Sequence, residues 1–250
     1  MTAETTRTPK AEQTRAHILA TALALFRERG YERTTMRAVA DSAGVSVGNA
    51  YYHFESKEHL IQAYYSQVHA ELDLAAQPVL DNERTLRKRL LGVLHAQLDI
   101  IEPYHDFAGV LFRTAADPSS PLSPFSAESL PVRQASTRLM AELVDGSTAK
   151  VDSQLRNELP HLLWLYHMGV ILFWVHDQTP GAKRTRELVD RTVPVIDRLI
   201  KLARVPGLGP VAHQIVRIAH DLRTFVSAQS DPADDEPSDE PSDERAAARR

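Results

Sequence analysis

The stretch TTMRAVADSAGVSVGNAYYHFESK, residues 34–57, decides the fold. It holds two short helical patterns on either side of a glycine, then the opening of a third. Thr35 sits where an N-cap belongs, since its hydroxyl can accept from a free NH in the next turn of chain. Val39, Ala40 and Ala43 then point inward together. Gly44 supplies the tight turn. Ser46 caps a very short helix, VGNAYYHF, and Ser56 caps the next. Two short helices joined by a glycine-containing turn form the unit that lays its second helix in the major groove of DNA. That helix must be short and must offer small or polar groups to the bases. Val47, Gly48 and Asn49 leave room for close approach, and the Asn49 amide both donates and accepts toward base edges. Tyr51, Tyr52 and His53 carry groups that reach phosphate oxygens. Lys57 opens the following helix, where its ammonium and the first-turn NH groups can face one phosphate.

Plain packing is the competing reading for several of these residues. Phe54 is assigned to the core, and Tyr51 and His53 are open to it. A glycine-linked helix pair is also common in proteins that bind no DNA. The wider pattern decides. The run GYERTTMRAVADSAGVSVGNAYYHFESKEHLI, residues 30–61, closely resembles the N-terminal domain of TetR-family transcriptional regulators. The likeness extends over about residues 11–65 and combines Gly30–Tyr31, Thr34–Thr35, Val39–Ala40, the run from Ala43 to Ser46, Gly48, Tyr51, Phe54, Ser56–Lys57 and Leu60. By that resemblance Thr35 and Arg37 open the helix that lies over the DNA backbone. Tyr51, His53 and Lys57 match positions that commonly hold phosphates, and Val47, Gly48 and Asn49 match base-facing ones. Ala50 departs from the pattern, where a larger aliphatic residue is usual.

The resemblance also implies an all-α protein: an N-terminal helix-turn-helix domain of three helices, then a larger helical domain for ligand binding and dimerisation. It implies a homodimer built from the last two long helices, at about 151–176 and 184–203, that holds a palindromic double-stranded operator. The excess apolar surface of segment 151–176 points the same way, since a helix that is apolar on more than one face must be covered on more than one. An unidentified small-molecule effector would enter a cavity among the middle helices. His95, Gln97, Arg113, His161 and His167 are polar groups inside apolar helices there; Phe107, Phe112, Trp164 and Tyr166 could line it or simply pack. Arg113, in VLFRTAA, must be exposed or paired, and a paired Arg113 would favour an acidic ligand. A repressor is the expected mode, because occupancy alone blocks polymerase. An activator of the same fold is the alternative.

Composition bounds the other classes. The chain has 250 residues, 43% hydrophobic, no cysteine and a formal net charge of −4. Thiol chemistry, disulfides and cysteine-ligated metals are excluded. Residues 1–69 carry eight Lys/Arg against seven Asp/Glu, a net +1, so phosphate contacts must come from placement rather than from a basic field. There is no glycine-rich phosphate loop, no Gly-x-Ser-x-Gly elbow and no metal-ligand spacing, hence no expected catalytic residue, metal or cofactor. A helical scaffold that binds only protein leaves residues 46–57 unexplained. The N-terminus lacks an apolar signal core, and the longest apolar run, residues 162–175, is too short to span a bilayer. A cytoplasmic protein with no membrane contact is expected.

The chain divides into four segments. Residues 1–10 are a flexible arm, 11–77 the helix-turn-helix domain, 78–227 the ligand-binding and dimerisation domain, and 228–250 a disordered acidic tail containing DEPSDEPSDE. Pro78 is expected to bend or end a helix near 77–82. Further helices are expected over 105–116, 126–144 and 211–225.

Overall fold

Helix α1 (Pro9–Arg29) starts where Thr8 accepts from the Ala11 NH at 3.4 Å and Pro9 presets the first turn. The expected arm is therefore shorter than ten residues. The computed structural model describes residues 8–117 and 119–202, together with Gln214, Arg217, Asp221 and Thr224. Those four are helical and exposed. The remainder of the expected helix at 211–225, the acidic tail and residues 1–7 lie outside the described residues. Among the described residues the chain is all-α with no strand. After α1 come α2 (Met36–Ser42), α3 (Val47–His53), α4 (Lys57–Asn82), α5 (Leu86–Ile101), α6 (His105–Ala115), α7 (Leu130–Asp145), α8 (Ser153–His176) and α9 (Lys183–Leu202).

Local chemistry sets these ends. Gly30 closes α1 at φ 84°, with its NH on the Phe26 carbonyl at 2.9 Å. Thr35, Ser46, Ser56, Thr85 and Asp152 each cap a helix with a side-chain oxygen. Helix α7 begins four residues later than the expected start at 126. The hydroxyls of Ser120, Ser123 and Ser126 accept from Leu122, Phe125 and Ser129 NH groups, and these local turns displace the helix.

The expected break at Pro78 is corrected. Helix α4 runs through it to Asn82. Pro78 is exposed, as is Leu74, whose carbonyl loses its amide partner and can turn to water. Leu72, Ala76 and Leu80 keep their inward spacing past the proline. No linker separates residues 11–77 from the helices after Pro78, because one helix belongs to both halves. Its first half packs Leu60, Ile61 and Tyr64 into an N-terminal core with Ile18, Phe26, Val39 and Phe54. Its second half joins a larger core with Leu90, Leu94, Leu98, Leu143, Trp164 and Val189.

Helix α8 is long and apolar enough by composition to cross a membrane. Here Leu155, Leu159, Leu163, Trp164, His167, Val170 and Trp174 face the protein core instead.

Candidate nucleic-acid interface

The second helix of the motif, α3, is fastened from beneath. Ala50 is fully buried, His53 and Phe54 are buried beside it, and the Arg15 guanidinium lies 4.6 Å from the Phe54 ring centre. Ser46 Oγ accepts from the Asn49 NH at 3.1 Å. The turn into α3 is held by Gly44, at φ 66°, and by His17 Nε2, which donates to the Ala43 carbonyl at 3.2 Å. This anchoring leaves Gly48, Tyr51 and Tyr52 exposed and Val47 and Asn49 half-exposed. On α2, Thr35 and Arg37 are exposed, and Thr35 Oγ1 accepts from the Ala38 NH at 3.2 Å.

Two of the residues matched to phosphate positions sit elsewhere. His53 is 8% exposed, one turn after Ala50 on the inward side, with its ring edge-on to Tyr52 at 5.1 Å. The Lys57 ammonium is engaged inside the fold. It donates to the Tyr31 carbonyl at 3.0 Å and lies 4.3 Å from the centre of the Tyr31 ring. Tyr31 in turn donates its hydroxyl to Glu58 at 2.9 Å. Burial, helped by the Glu58 carboxylate, pushes the Tyr31 hydroxyl well above the usual tyrosine range, so it stays a donor. This clasp ties the end of α1 to the start of α4. The sequence carries no local signal for it, because its partners are 26 and 27 residues apart.

The residues nominated for an effector cavity are spread over several places. His95 Nε2 meets Asp190 at 2.9 Å, pairing α5 with α9 at the surface. Phe107 packs against Phe26 and Tyr64 and belongs to the N-terminal core. Phe112 stands edge-on to His176 at 6.0 Å. Arg113 is exposed, which resolves its two readings against an interior cation. Trp164 is buried edge-on to Phe125, and Tyr166 bonds Thr192. His167 is buried, and neither ring nitrogen has a hydrogen-bond partner. Burial, reinforced by nearby His69 of α4, lowers its pKa to about 4 and keeps the ring neutral.

The same contacts show how the halves are joined. Phe107 and Leu111 of α6, with Leu122 of the next loop, are buried in the N-terminal core. Gln62 Nε2 donates to the Pro121 carbonyl at 2.6 Å and to Ser129 Oγ at 3.0 Å. Beside this bridge, a cleft of about 330 Å³ opens between the end of α3, the start of α4 and α7, lined by Tyr52, Glu55, His59, Gln62, Ser66 and Glu128.

Comparison with known proteins agrees with this layout. Residues 18–64 match the family described as bacterial regulatory proteins, tetR family, and residues 89–222 match the tetracyclin repressor-like C-terminal domain. The transcriptional repressor KstR2 of Mycobacterium tuberculosis is 34% identical over 91 residues, covering 36% of this chain and 46% of that one. The regulator TtgR of Pseudomonas putida is 36% identical over 91 residues, covering 34% and 43%. The chain thus spans under half the length of these curated relatives. Among solved structures, a TetR transcriptional regulator from Nitrosomonas europaea superposes with a TM-score of 0.58 at 15% identity, over 73% of this chain and 97% of that one. Thermus thermophilus FadR, a TetR-family repressor in complex with lauroyl-CoA, gives 0.53 at 24% identity, over 72% and 92%. At these identities the likeness is one of fold.

Proposed function

We propose that this chain, which belongs to the tetR family of bacterial regulatory proteins, is a homodimeric transcriptional repressor that holds a palindromic operator and releases it when a small molecule enters its C-terminal domain. One observation carries the reading: α3 is anchored by Ala50, His53 and Phe54 while Gly48, Tyr51 and Tyr52 are presented outward. A helix seated that way suits the major groove. Thr35 and Arg37, exposed at the start of α2, suit the flanking phosphates, and Tyr51 suits the other side. His53 and Lys57 act from within, as supports.

The dimer rests on Leu172 and Phe173 of α8 and Val195, Leu199 and Leu202 of α9, large apolar side chains that stand exposed in the single chain. Large apolar side chains left exposed along two long helices favour a second copy. Two readers then address half-sites about 34–36 Å apart. The effector is proposed to be a molecule of mixed apolar and polar character, since the C-terminal core sets His167 and Gln97 among aliphatic and aromatic side chains. The FadR complex with lauroyl-CoA is one such case on the same fold. The protein acts where the chromosome is, in the bacterial cytoplasm.

Fluorescence anisotropy with duplexes from the DNA flanking its own gene tests this. The parent is expected to bind one fragment in a salt-dependent way. Arg37→Ala and Tyr51→Ala should weaken binding by about tenfold each, with unchanged thermal midpoints. Equal binding by both variants would remove α2 and α3 from the interface. Deleting the gene should raise transcripts from the bound promoter; a fall would make the protein an activator.

A further inference from the structure

The outward face of α3 has no charged side chain. Ala50 and His53 are buried, which turns Gly48 directly away from the core, with Tyr51 and Tyr52 to either side of it and Val47 and Asn49 on the flanks. A methyl group built on Gly48 would meet nothing within 4 Å, so the helix backbone itself can come close to whatever lies opposite. The Asn49 NH is used by Ser46, but its side-chain amide makes no hydrogen bond among the described residues. Val47 packs partly on the N-terminal core and keeps an exposed edge. Tyr52 is 76% exposed.

This set is selective in what it can read. Guanine is recognised in the major groove by Arg or Lys at O6 and N7, and cytosine by a carboxylate at N4. Adenine is recognised by Asn or Gln at N6 and N7, and thymine by apolar contact with its methyl group. The α3 face holds an adenine reader, apolar edges and the neutral hydroxyls of Tyr51 and Tyr52. It holds neither Arg, Lys, Asp nor Glu. The cations of residues 34–57 stand off this helix: Arg37 is in the first turn of α2, and Lys57 is engaged by Tyr31.

We propose that α3 reads A·T pairs. Asn49 accepts from adenine N6 and donates to N7 of one pair. The exposed edge of Val47 and the bare backbone at Gly48 receive the thymine methyl of a neighbouring pair. Each operator half-site accordingly has an A·T core under α3, and G·C pairs there are disfavoured because the face offers no guanidinium or ammonium for guanine O6 and N7 and no carboxylate for cytosine N4. The inference rests on the operator-binding reading above and specifies the chemistry of that partner.

Selection from a random duplex pool with the full-length chain tests it. The half-sites recovered should carry A·T at the positions protected by α3. In the selected duplex, 7-deaza-2′-deoxyadenosine at the Asn49 position removes N7 and should weaken binding by roughly tenfold or more. The same replacement should cost Asn49→Ala almost nothing. Deoxyuridine in place of thymidine at the neighbouring pair should weaken the parent severalfold. These base analogues leave the protein unaltered, so folding plays no part in the result. Recovery of G·C at the α3 positions overturns the proposal, as does an equal deaza penalty in parent and Asn49→Ala. If no sequence is enriched at all, the operator reading itself fails, and this inference falls with it.

Discussion

The Lys57 ammonium fixes two chain segments at once, through the Tyr31 carbonyl and the Tyr31 ring. Removing it leaves a carbonyl without its donor and a ring without its cation. Lys57→Ala is therefore expected to cost about 1–2 kcal/mol in urea unfolding, and to weaken DNA binding only through the displaced α4 terminus. A variant that kept full stability and lost DNA binding would return Lys57 to the phosphate backbone. Gly48 behaves in the opposite way. It lies inside α3 with open space around it, so Gly48→Ala should raise stability by about 0.5–1 kcal/mol. The same methyl would hold α3 off the base edges, so operator affinity should fall while the thermal midpoint rises. At this scale the caps were legible, because Thr35, Ser46 and Ser56 act on NH groups three residues away. The capture of Lys57 was not, and for His53 the sequence left packing and phosphate contact both open. A helix position matched to a phosphate says nothing of which long-range partner competes for the side chain.

Helix α4 is the element on which the two halves depend. Hydrophobic periodicity located it, since Leu60, Ile61, Tyr64 and Leu72 repeat at helical spacing. Its far end was hidden by Pro78. Helix-breaking by proline is a local penalty, and burial of Ala76 and Leu80 on either side outweighs it. The penalty remains in the folded state. Pro78→Ala should stabilise the chain by about 1–3 kcal/mol, read from the denaturant midpoint. An unchanged midpoint would mean that the proline offsets its cost by stiffening the unfolded chain. At the next residue, Val79, α4 meets α5 closely. A Cβ on Gly92 would come within 2.5 Å of Val79 Cγ1, so Gly92→Ala should force these helices apart. The expected loss is about 1–3 kcal/mol. Periodicity recovers such helices one by one. It does not reveal that α6 and the loop holding Leu122 are built into the N-terminal core, because their apolar spacing is the same whichever core they face.

Acidification acts on the molecule as a whole. His167 and His69 both have lowered pKa values, burial being the main cause in each, with Asp73 beside His69 pulling the other way. The charges that act on His69 are Asp73 on α4 and Arg138 on α7, and the group that acts on His167 is His69 itself. In the unfolded chain His167 takes a proton below about 6.5, whereas in the fold it stays neutral down to about 4. The unfolded state thus binds more protons across that window, so stability falls as pH drops from about 6.5 to about 4. Asp177 opens a second stage. Bonds from Thr179 and Thr185 overcome its burial and hold its pKa at about 2, so its contribution is lost only as pH falls toward that value. His167→Leu should reduce the first stage, leaving the part due to His69, and leave the second unchanged, as read by thermal midpoints in a pH series.

The exposed apolar side chains of α8 and α9 set the last test. A carboxylate at Leu199 would cost little in a free chain, where that position is 53% exposed. Within an interface it would be stripped of water with no partner provided. Leu199→Asp should therefore leave the helical content and the urea midpoint at high dilution nearly unchanged. It should shift the species seen by light scattering from two chains to one. Operator affinity should fall by at least about a hundredfold, because one reader then faces a site built for two. Affinity for a single half-site should stay at the parent's level, since α3 and its supports lie in the other core. A Leu199→Asp protein that remained dimeric with full operator affinity would move the interface off this face and leave the exposed apolar side chains without a partner.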